Sequence, residues 1–105
     1  YSNEAKINHL GVREITLNQY GAVSGETAAE MAAGMRKISG ADISISITGI
    51  AGPSGGSEAK PVGLVYFGLA AGDYVLSCQR RFKGDRELIR ERAADFALDL
   101  IRRYI

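Results

Sequence analysis

The sequence predicts an α/β fold, a three-layer α/β/α domain with a mixed β-sheet, on three observations. Helical periodicity occupies both ends of the chain and three β-type runs lie between them. One of these runs, Val62 to Ala71, is apolar almost throughout, as expected of a central strand covered on both faces. The dipeptide Gly72-Asp73 then offers a tight turn into the next run, so an antiparallel hairpin joins the last two strands. A chain of 105 residues with 46% hydrophobic content is long enough for one core and too short for two, so residues 1–105 read as a single domain.

Taken in order, Ser2 or Asn3 caps a short helix through Lys6, Ile7 and Leu10, which Gly11 stops. A second short element runs from Arg13 to Tyr20 and ends at Gly21. Ser24 caps a longer helix reaching about Ser39, with Ala28, Met31, Ala32, Met35 and Ile38 at helical spacing and Gly40 as its end. Asp42 to Thr48 alternates Ile43, Ile45 and Ile47 with Ser44 and Ser46, a strand whose second face must meet small residues. Val62 to Ala71 and Tyr74 to Phe82 supply the other two strands. From Asp85 to Ile105 the period changes to that of an amphipathic helix, with Leu88, Ile89, Ala93, Phe96, Ala97, Leu100, Ile101 and Tyr104 on one side. That stripe covers the sheet and leaves room for a homo-oligomer contact. Three strands make a narrow sheet, and Tyr1-Ser2 reads as the tail of a further strand upstream.

Charge narrows the partners. Lys and Arg total 13 against 12 for Asp and Glu, and a net charge of +1 supplies no field that would recruit nucleic acid or a membrane surface. No apolar run approaches the roughly 20 residues of a spanning helix. Cys78 is the single cysteine, which excludes disulfide stapling and favours a cytoplasmic setting. His9 stands alone with no second ligand at useful spacing, so no metal or cofactor is expected.

The densest chemical signal is the loop Thr48-Gly-Ile-Ala-Gly-Pro-Ser-Gly-Gly-Ser-Glu-Ala-Lys-Pro-Val-Gly63, with five glycines in sixteen residues. Consecutive amides in such a loop can form a concave nest of donors for an anion or an oxyanion. It lacks the Gly-Lys-Ser/Thr ending of a Walker loop, and no helix pattern follows it as in the dinucleotide fingerprint, so ATP and NAD readings fall away. Ser54 and Ser57 lie in the loop without a partner base and read as solubilising residues.

Three separated motifs, Tyr1-Ser-Asn-Glu-Ala-Lys6, Thr48-Gly-Ile-Ala-Gly-Pro53 with Lys60-Pro-Val-Gly63, and Phe82-Lys-Gly-Asp-Arg86, resemble the CinA carboxyl-terminal domain family, the nicotinamide mononucleotide amidohydrolases. Leu10-Gly-Val-Arg13 and Tyr20-Gly-Ala-Val-Ser24 are similar to that family as well. The likeness runs from Tyr1 nearly to the C-terminus. It implies a bacterial cytoplasmic protein, alone or fused behind a nucleotide-processing domain, that hydrolyses the carboxamide of nicotinamide mononucleotide to the acid and ammonia. The family carries its serine nucleophile in a Glu-Ser-Cys-Thr-Gly-Gly motif that does not occur among these residues, so serine, opening strand and opening helix are expected upstream of Tyr1.

The resemblance further implies roles for particular residues. Lys6 would be the base, since a lysine held neutral can take a serine proton. Asn3, at i−3 on the same helix face, would orient the amine or contact substrate, and Tyr1 would donate into the same pocket. Thr48, Gly49 and Gly52 would contact substrate from the loop. Arg86, at a helix start where the dipole disfavours a cation, would present its planar fork to the phosphate. The plain alternatives are a solvated lysine, a tight turn and an exposed arginine. At the level of the protein, the alternatives are a non-catalytic nucleotide-binding module and an interaction domain.

Overall fold

The structure, a computed structural model, describes residues 2–104. Three strands, β1 (Ile43–Gly49), β2 (Leu64–Ala71) and β3 (Tyr74–Arg81), form one sheet in the order β1-β2-β3. Helices α1 (Asn3–Leu10), α2 (Glu14–Tyr20) and α3 (Gly25–Ser39) precede the sheet, and α4 (Arg86–Arg103) follows it. The helix α3 lies on one face and α4 on the other, with α1 and α2 packed on α3, so the α/β/α layering holds. Both pairings are antiparallel. The mixed character expected of the sheet is therefore absent among the described residues, because each connection returns the chain directly alongside the strand it left. As expected, β2 is central and almost fully buried, and Ala71 pairs with Tyr74 across the two-residue turn.

The two faces of the sheet are held by different chemistry. Toward α4, Val65, Phe67, Leu69 and Ala71 pack on Ile89, Ala93, Ala97 and Leu100. The Phe67, Phe82 and Phe96 rings cluster there, with Phe67 and Phe96 centroids 4.8 Å apart. Toward α3 the sheet is small and polar. Ser44 and Ser46 donate to the α3 carbonyls of Ala32 and Ala28, and Thr48 donates to the Ala22 carbonyl, so the buried hydroxyls are satisfied. Opposite Ser46 stands Gly68, where a Cβ would lie 2.0 Å from the Ala28 oxygen. Backbone and helix thus approach more closely than any side chain allows. This is the physical content of the small-residue face read from the alternation of β1.

Helix ends are capped by side chains, at Ser2 and Ser24 as expected and at Asp85 as well. Ser2, Ser24 and Asp85 accept from the N–H groups of Ala5, Thr27 and Leu88. Gly11 and Gly40 close α1 and α3 in the left-handed region. The helix α3 departs in one respect, since Ile38 is 63% exposed and its apolar stripe ends a turn early.

The start of α2 has no cap of its own, because Arg13 at the N-cap makes no side-chain cap bond. Glu30, from α3, replaces it: one carboxylate oxygen accepts from the Arg13 N–H at 2.8 Å, the other from Thr16 Oγ1 at 2.6 Å and Arg13 Nη2 at 3.2 Å. Burial raises the pKa of Glu30, but the hydrogen bonds and the Arg13 charge outweigh it and hold the carboxyl below its ordinary value. The stability it contributes is present above the unfolded carboxylate pKa and is lost as pH falls through the lower folded value. Glu30→Ala should cost about 1–2 kcal/mol at pH 7, read from the urea midpoint, and the difference from wild type should shrink on acidification. A pH-independent difference would show that the carboxylate charge is immaterial there.

Candidate functional site

The site lies where the C-terminal end of β1 meets α1 and the glycine loop. There the antiparallel ladder ends with the Ile50 N–H donating to the Leu64 carbonyl. Strict alternation then turns the N–H and C=O groups of Ile47 and Gly49 away from β2, toward the open edge of β1. Among the described residues those edge N–H groups have no backbone partner, so the edge presents donors beside the side chains that surround it.

Lys6 is one of those side chains. It sits one turn into α1, just 6% exposed, and its aliphatic stem is packed in the protein interior. Burial lowers its pKa from the ordinary lysine value. Among the described residues its amine has no salt-bridge partner. A cavity of about 470 Å³ brings it together with Asn3, Thr48 and Gly49, four of the residues expected at the site. Ser2, Ala22, Val23, Met31 and Ile47 complete the walls. Tyr1, expected to donate into this pocket, lies outside the described residues.

Thr48 lines this cavity, but its hydroxyl proton is committed to the Ala22 carbonyl at 2.8 Å. That bond fixes the Ala22-Val23 wall and leaves the hydroxyl oxygen free to accept. Gly52 departs from expectation. It is buried, lines neither this cavity nor its neighbour, and gives its carbonyl to Arg86 Nη1 at 3.1 Å. Its part is to anchor the loop, because the chain folds the residue inward against Val62.

Arg86 stands in a second cavity, of about 520 Å³, with Arg90, Ile89 and Val65. Ile47 and Gly49 line both cavities, so the lysine and arginine chambers adjoin across the end of β1. Lys60 straps the loop down from the other side, its Nζ donating to the Tyr20 carbonyl at 2.6 Å at the negative end of α2. The loop is therefore tied at Gly52 to α4 and at Lys60 to α2.

Ile47, Ala22, Val23 and Arg90 were not among the expected site residues. Arg90 could have been found from its i+4 spacing to Arg86, and Ala22 and Val23 from the motif that contains them. Ile47, as one member of an apolar alternation, carries no distinguishing signal. Cys78 packs partly buried against the α4-side core, and burial pushes its thiol pKa up despite Arg103 and Arg80, which suits a packing residue. Among the described residues no three His, Cys, Asp or Glu side chains gather as a metal site, and no helix is long and apolar enough to cross a membrane.

A helix-flanked antiparallel sheet with a buried lysine and a glycine loop at its open edge defines an α/β domain built around a two-chambered cleft. Residues 1–105 match the model of the CinA C-terminal domain, and the chain belongs to that family. It is 58% identical over 105 residues to a CinA-like protein of Syntrophomonas wolfei and 58% identical to a putative competence-damage inducible protein of Caldicellulosiruptor saccharolyticus. It covers all of this chain but only 25% and 26% of those proteins, so it spans about a quarter of the length of the curated relatives it matches. Among solved structures, a CinA superfamily protein from Escherichia coli superposes at a TM-score of 0.94 with 36% identity, over 100% of this chain and 61% of that one. The competence/damage inducible protein CihA from Agrobacterium tumefaciens superposes at 0.92 with 43% identity, over 96% and 62%.

Proposed function

We propose that this domain forms the substrate-binding and proton-transfer part of an amidohydrolase that converts nicotinamide mononucleotide to nicotinate mononucleotide and ammonia. The observation that carries this reading is the buried, charge-disfavoured Lys6 facing Asn3, Thr48 and Gly49 in one cavity, with Arg86 in the adjoining one.

The chemistry follows from those positions. A neutral Lys6 amine takes the hydroxyl proton of the family's serine as the serine oxygen attacks the carboxamide carbon. The outward Gly49 N–H is a donor for the oxyanion that develops, and Thr48 Oγ1 can accept from the carboxamide NH₂. When the tetrahedral intermediate collapses, the Lys6 ammonium returns its proton to the departing nitrogen and ammonia leaves. Water then attacks the acyl-serine, with Lys6 again as base. Arg86, one chamber away, suits the phosphate end of the substrate, since guanidinium–phosphate pairs are charge-assisted and directional.

The test is ammonia release from nicotinamide mononucleotide by a polypeptide in which these residues follow the family's serine-bearing segment. Ammonia and the acid should appear in equal amounts. Binding of the mononucleotide with no ammonia would instead make this a nucleotide-binding module, and no binding at all would make it an interaction domain.

A further inference from the structure

We propose that Arg90, together with Arg86, forms a two-guanidinium clamp for the phosphate monoester of the substrate, and that Arg90 sets the preference for a nucleotide over a nucleoside. This rests on the substrate reading above and extends it to a residue outside the motifs that suggested it.

The geometry is that of one helix face. Arg86 and Arg90 are four residues apart on α4, so their side chains emerge one above the other. Both line the cavity that shares Ile47 and Gly49 with the lysine chamber. No acidic residue lines it. Among the described residues neither arginine has a salt-bridge partner, although Glu87, Glu91 and Asp95 lie on the same helix.

Other arginines nearby do find partners: Arg92 donates to the Lys83 carbonyl and Arg102 to Asp99. Arg86 spends Nη1 on the Gly52 carbonyl, which fixes its plane but leaves it fewer donors. Arg90 makes no hydrogen bond among the described residues, so its whole fork is available. Two like charges at i and i+4 destabilise a helix unless something lies between them. A phosphate monoester carries close to two negative charges at neutral pH and offers three oxygens, enough for both forks. Arg86, with one of its five N–H donors committed, neutralises at most one of those charges, and Arg90 supplies the second.

The experiment compares nicotinamide mononucleotide with nicotinamide riboside, which lacks the phosphate, as substrates of the serine-bearing protein and its Arg90→Gln variant. The ratio of kcat/KM for the two substrates should fall about tenfold to a hundredfold in the variant, mostly through KM for the mononucleotide. Arg90→Lys, which keeps the charge without the fork, should recover part of the ratio. Equal losses on both substrates would assign Arg90 to the helix and overturn the clamp. So would kcat/KM values that stay at wild-type level for both substrates.

Should the wild-type protein release no ammonia, the amidohydrolase reading fails while the clamp remains testable by calorimetric titration with nicotinamide mononucleotide and with inorganic phosphate. Mononucleotide binding that weakens at least tenfold in Arg90→Gln sustains the clamp. Binding of inorganic phosphate alone, or mononucleotide binding indifferent to the substitution, overturns it.

Discussion

Lys6→Met in the serine-bearing protein should lower ammonia release by about 10²–10⁴-fold, the usual share of a general base, while the domain stays folded. Methionine is the informative replacement because the stem of Lys6 is buried and an alanine would add a void to the loss of the amine. The signs of the two pH effects are fixed by the lowered pKa. Between the folded pKa and the ordinary value of 10.5, the unfolded chain binds more protons than the native one, so wild-type stability rises with pH across that window. Below it the ammonium carries the cost of its partial burial, and Lys6→Met should stay close to wild type in stability at pH 7. The rate of the wild type should climb through the same folded pKa, because only the neutral amine accepts a proton. That ascending limb should vanish in the variant. A variant that retains both the rate and the limb would remove Lys6 from the mechanism.

Much of this fold was legible because its signals are local. Ser24, Asp85, Gly11 and Gly40 mark helix ends through their own backbone chemistry, and Gly72-Asp73 marks the hairpin in the same way. The alternation of β1 also announced that its serine face would meet small residues, and Ala28, Ala32 and Gly68 are those residues. What could not be read is whatever depends on which elements meet. Strand direction is one example, since the long glycine loop could have led to a parallel or an antiparallel return. The cap that Glu30 lends to α2 is another, because it acts across seventeen residues and has no local signature.

The site divides along the same line. Lys6, Asn3, Thr48 and Gly49, named from separate motifs, line one cavity. Gly52 belongs to the same motif, yet it faces inward, which only the path of the loop decides. Arg90 and Ile47 enter the cleft because α4 crosses the end of β1, a fact of packing that no motif contains.

That dependence of chemistry on packing gives the second large effect. Gly34 on α3 faces the last residue of α1, where a Cβ would lie 1.6 Å from the Leu10 carbonyl oxygen and 2.6 Å from its carbon. These are backbone atoms at a capped helix end, so they cannot rotate aside. Gly34→Ala gains about 1 kcal/mol of helix propensity in α3, but overpacking of this kind costs about 3 kcal/mol, and a net loss of about 2 kcal/mol should appear in the urea midpoint. The displacement matters more than the energy. The helix α1 carries Lys6 and Asn3 into the cleft while Thr48 and Gly49 are held by the sheet, so pushing α1 away from α3 separates the base from the groups that position its target. A misplacement of about 1 Å can cost about 10²-fold in rate. Ammonia release by the serine-bearing Gly34→Ala protein, assayed where it is fully folded, should fall by that order, although Gly34 lines neither chamber of the cleft. A variant with lowered stability and undiminished turnover would mean that the base does not take its position from the contact between α1 and α3.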